Sequence, residues 1–119
     1  MKDNLILNKT FDFSVRIINS YKYICANKHE FVMAKQLLRC GTSIGANVNE
    51  AVNAQSDRDF LSKMSIALKE ATETEYWLKL LLQTEYLTQK QGTSFLKDCE
   101  EVKRILTAII KTKKAKLQQ

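Results

Sequence analysis

The chain has 119 residues, a formal net charge of +6, 45% hydrophobic and 27% charged residues. That length suits one domain with a modest core, and that balance excludes a disordered chain. The absence of proline and the presence of only three glycines, Gly41, Gly45 and Gly92, argue against a turn-rich β domain.

The first predicted helix runs over about 8–26, with Asn8 as its N-cap. Its apolar residues Phe11, Val15 and Ile18, with Ile17, Tyr21, Ile24 and Cys25, recur at three- and four-residue steps. The polar stretch Asn27-Lys28-His29-Glu30 ends it. The second helix is expected over about 31–53, because Met33, Leu37, Cys40, Ile44, Val48 and Ala51 keep to one stripe. Within it, Gly41 and Gly45 lie four apart. A phosphate-cradling loop would follow a strand and carry a lysine after its last glycine. Here Ala46-Asn47 follows Gly45. Each glycine costs a helix about 1 kcal/mol relative to alanine, so the pair predicts a close neighbour, with Trp77 as a candidate to fill the space. Gln36, Ser43, Asn47 and Glu50 form a polar line on the same helix, with Arg39 beside it.

Ser56-Asp57-Arg58-Asp59 places a hydroxyl and a carboxylate three apart, a variant of the capping box. It opens a third helix over about 56–86. Phe60, Met64, Ala67, Ala71, Thr74, Leu78 and Leu81 then sustain a heptad pattern, the clearest signal in the chain. Glu75 falls close to the apolar side and needs a partner. Gly92-Thr93-Ser94 reads as a turn, and the fourth helix is expected over about 94–112 on Phe95, Cys99, Val102, Leu106 and Ile109. A basic tail, 111–119, is expected to fray. The fold class that follows is all-α, an up-down-up-down antiparallel four-helix bundle forming a single domain.

No apolar run reaches about 18 residues, and MKDNLILNKT lacks the apolar core of a secretory signal. A cytoplasmic protein with no membrane contact is expected. Cys25, Cys40 and Cys99 read as reduced core thiols. With one histidine, His29, and no CxxC spacing, no metal, cofactor or catalytic set is expected.

The stretches QLLRCGTSIGANVNEA (36–51) and DFLSKMSIALKEATETEYWLKLL (59–81) resemble the four-helix-bundle proteins encoded in 23S rRNA intervening sequences. That family includes the accessory variability protein of diversity-generating retroelements. The resemblance runs from about Lys9 to Lys111, and departs mildly at Cys40 and Val48, where serine and isoleucine are more usual. It implies a ring-shaped homopentamer. In the retroelement branch it implies nucleic-acid binding beside a reverse transcriptase. It supplies no active site. The residues carrying it, among them Arg39, Asn47, Glu50, Lys63, Glu70 and Glu73, look like packing and assembly determinants.

Charge placement raises the functional question. Residues 1–102 hold thirteen Lys/Arg and thirteen Asp/Glu, so the whole excess lies in 103–119. One reading is a binding module for RNA or DNA, of low sequence specificity, using Lys103, Arg104, Lys111, Lys113, Lys114 and Lys116, joined by Lys9 and Arg16. The other is an oligomeric scaffold that recruits a protein partner, the lysines merely complementing a helix dipole. Gln36, Arg39, Gly41, Ser43, Gly45, Asn47, Glu50, Lys63, Glu70, Glu75 and Trp77 are assigned to structure and assembly under either reading.

Overall fold

Four apolar stripes close into an up-down-up-down bundle measuring 51 × 21 × 21 Å. The computed structural model describes residues 2–119, with side chains described from Leu5 onward. The helices are α1 (Lys2–Tyr23), α2 (Val32–Val52), α3 (Asp57–Gln83) and α4 (Gln89–Leu117), with a single π turn, Ile24–Lys28, extending α1. Helices adjacent in sequence pack most closely, and α2 against α3 most of all, while α1 and α4 form the loosest of the four seams.

The helix ends follow local chemistry. Ser56 Oγ accepts from the Asp59 amide at 3.0 Å, and the carboxylates of Asp57 and Asp59 sit in that first turn. This is the side-chain capping that an exposed N-terminus requires. The third helix closes with Glu85 in the left-handed region (φ 68). There the Glu85 amide donates to the Leu82 carbonyl and the Tyr86 amide to the Leu81 carbonyl, the paired bonds of a Schellman ending. The first reversal uses His29 (φ 52) in the same conformation.

Two boundaries differ from those expected. Asn8 caps nothing, because α1 already begins at Lys2. The stripe that α1 buries is Ile6, Thr10, Phe13 and Ile17, continued by Ile24 in the π turn, whereas Phe11 is 66% exposed and Val15 and Ile18 also face outward. Thr10 tolerates burial because its hydroxyl donates to the Ile6 carbonyl at 2.8 Å. The fourth helix starts at a capping box, not at Gly92-Thr93-Ser94. The Gln91 amide donates to Thr88 Oγ1 at 3.1 Å, and the Thr88 amide to Gln91 Oε1 at 2.9 Å. Gly92 is then buried in the first turn, where a Cβ would stand 2.6 Å from Leu82. At the other end α4 continues through Lys113, whose ammonium lies 5.2 Å from the Phe60 ring centre, so helix persists where fraying was expected.

The small residues of α2 serve α1 rather than Trp77. A Cβ on Gly41 would stand 2.5 Å from Ile17, and one on Gly45 would stand 3.3 Å from the Thr10 carbonyl oxygen. Gly41 thus makes room for the Ile17 side chain, and Gly45 lets the α1 backbone come close. Trp77 lies at the α2–α3 seam instead.

Candidate functional site

The eight basic residues predicted as a polyanion surface separate into two groups. Lys9 pairs with Glu101, which raises the lysine's pKa and holds the Glu101 carboxyl below its usual range. Arg16 reaches Asp98 at 2.5 Å and Ser94 at 3.1 Å, with its guanidinium 4.5 Å above the Phe95 ring. These two contacts tie α1 to α4 along their loosely packed seam. Lys103 pairs with Glu75 at 3.2 Å, and Lys113 with Asp57 at 2.8 Å, both from α4 to α3. Arg104, Lys111, Lys114 and Lys116 are exposed and make no ion pair among the described side chains.

Glu75 therefore has the partner that its position demanded, with Lys79 a more distant second at 4.0 Å. Most of the other polar residues assigned to assembly gather on the α2–α3 seam. Arg39 sits between Glu73 and Glu70, the latter at 3.5 Å, and its Nε donates to Gln36 at 3.2 Å. Trp77 Nε1 donates to Glu73 at 3.1 Å. Lys63 pairs with Glu50 at 3.1 Å, and Asn47 donates to the Ser43 carbonyl and hydroxyl. One oxygen of Glu70 is buried without a hydrogen bond, and Arg39 is its compensating charge. Across this seam charges meet opposite charges.

Burial pushes the Cys40 thiol up, and it pushes Cys99 up to about 12, so both are held as unreactive thiols. A cleft of about 650 Å³ lies at the α2–α3 loop, with Phe60 and Ile109 in its wall. Of its charged groups, Asp57 and Lys113 pair with each other, and Lys116 makes no ion pair among the described side chains. No group of three or more His, Cys, Asp or Glu side chains suited to a metal ion occurs among the described residues. No helix there is long and apolar enough to cross a membrane.

Two basic residues escaped the sequence reading. Lys90 and Lys97 are exposed on α4 and unpaired among the described side chains. They precede Arg104 and Lys111 at steps of seven. The signal was present as spacing, but a helix start near 94 leaves Lys90 in a loop and hides it. Of the three acids on α4, Asp98 and Glu101 are occupied by Arg16 and Lys9 from α1. Six unpaired basic residues on α4 then face only Glu100.

The model of the 23S rRNA-intervening sequence protein family matches residues 2–108. Among solved structures, a protein with unknown function from the S23 ribosomal protein family of Bacteroides thetaiotaomicron is similar at 55% identity, with a TM-score of 0.92. The match covers 93% of this chain and 99% of that one. No curated protein matches.

Proposed function

The chain belongs to the 23S rRNA-intervening sequence protein family, and we propose that it is a non-enzymatic nucleic-acid-binding protein of the cytoplasm that works as a ring-shaped homopentamer. The observation that carries the binding half is the charge left after ion pairing. Arg104, Lys111, Lys114 and Lys116 are exposed, without carboxylate partners among the described side chains, and on one helix. Exposed charge of one sign raises local polyanion concentration and gains from counterion release. The assembly half is supported by α1, whose outward Phe11, Val15 and Ile18 form an apolar stripe with no role in the core of a single chain.

Light scattering and a salt titration on one sample test both halves. The expected mass is five times 13.7 kDa. Affinity for labelled RNA or DNA should fall linearly on a log–log plot between about 50 and 200 mM salt. A monomer would remove the ring. An oligomer that ignores nucleic acid at low salt would turn the reading to a scaffold for a protein partner. A Phe11→Asp, Ile18→Asp variant should dissociate while staying helical, since both side chains lie outside the core.

A further inference from the structure

Lys90, Lys97, Arg104 and Lys111 follow one another at steps of seven. Seven residues are close to two helical turns, so each stands almost above the last, with a drift of about 20°. At 1.5 Å per residue they are about 10.5 Å apart and the line is about 31 Å long. All four are exposed, and the residues that share their face, Thr93, Ser94, Glu100, Glu101, Thr107 and Ala108, bring no aromatic ring and two carboxylates, of which Glu101 is paired with Lys9. The opposite side of α4 is clamped into the core by Phe95, Cys99 and Leu106, so the line is rigid before any ligand arrives.

We propose that this outer face of α4 is a rail for the phosphate backbone of a double-stranded nucleic acid, engaged without reading its bases. This rests on the binding reading above and gives it a location and a strand preference. The rail is nearly as long as one turn of B-form duplex, about 34–36 Å. A major groove about 12 Å wide admits a single helix. α4 is flanked by its neighbours in a bundle 21 Å across, so base edges stay beyond its reach and the long side chains meet phosphates. Sequence-tolerant single-strand binders add stacking of bases on aromatic side chains. This face has none. A duplex also carries the denser charge and releases more counterions per contact.

The test uses fluorescence anisotropy with a DNA duplex of about two turns, an RNA duplex of equal length, and one unpaired strand. Three full-length proteins are compared: wild type, Lys90→Gln with Lys97→Gln, and Lys114→Gln with Lys116→Gln. Melting temperatures check that the exposed substitutions leave the fold intact. Wild type should bind at least one duplex more tightly than the single strand. The Lys90, Lys97 variant should weaken duplex binding by about tenfold or more at low salt, with the log–log slope smaller by up to about 1.8. If that variant keeps full affinity and slope while the Lys114, Lys116 variant loses them, the tail binds and the rail is overturned. Tighter binding of the single strand overturns the duplex preference. If wild type binds none of the three probes, the nucleic-acid reading itself fails.

Discussion

The inner and outer sides of α4 carry basic residues of the same kind to opposite ends. On the inner edges Lys103 reaches Glu75 and Lys113 reaches Asp57, and the core residues between them are almost fully buried. On the outer side Arg104, next in sequence to Lys103, has no partner among the described side chains, as is true of Lys90, Lys97 and Lys111. What separates structural charge from charge available to a ligand is the opposite charge within reach. A count of lysines along the sequence cannot make that distinction.

Removing the ring of Phe95, which is 1% exposed and packs edge-on against Phe13 at 5.5 Å between centroids, attacks the inner side hardest. Phe95→Ala should cost about 3–5 kcal/mol in denaturant unfolding. Next in size is a pH effect on the same side. Cys99 is raised by burial from an ordinary value of 9.0 to about 12, so the folded chain holds a proton that the unfolded chain releases first. Its stabilising contribution is complete below about pH 9, and is lost progressively as pH rises toward 12. Stability measured across that range should fall, and Cys99→Ala should flatten the slope. Thiol reagents near neutral pH should modify half-buried Cys25 before Cys40 or Cys99.

The neighbouring pair sharpens the contrast further. Lys103→Gln leaves Glu75 with only the distant Lys79, and should cost about 1 kcal/mol while the salt slope of nucleic-acid binding stays unchanged. Arg104→Gln should do the reverse, changing stability by less than about 0.5 kcal/mol and reducing the salt slope by about 0.9. Equal thermal losses in the two variants would erase the distinction between the sides.

Much of this was legible in the sequence, for reasons that differ by helix. The heptads of α3 and α4 identify their buried stripes because each helix is apolar on one side only. The first helix is apolar on two sides. Phe11, Val15 and Ile18 repeat as regularly as Ile6, Phe13 and Ile17, and the choice between them is made by how α1 crosses Gly41 and Gly45. Periodicity holds no information about that crossing. At the start of α4 the signal lay in Thr88 and Gln91, spaced as a capping box, but Gly92 read as a turn. Its use as the seat of Leu82 is a tertiary fact. The motif of α2 and α3 showed its polar residues in advance. Their pairing, Arg39 between Glu70 and Glu73, needed the α2–α3 register.

The unequal closeness of the seams governs how the chain folds as well as what it holds. Three of the four seams join helices that follow one another, so most contacts close short loops, the arrangement that folds fastest among small domains. The seam between α1 and α4 must close over nearly the whole chain and has the least packing to reward it. It should therefore form last and open first. A swing of α1 away from the bundle would release Arg16 from Asp98 and uncover Phe13 and Phe95 to water. Amide hydrogens of α1 should exchange ahead of those of α2 and α3.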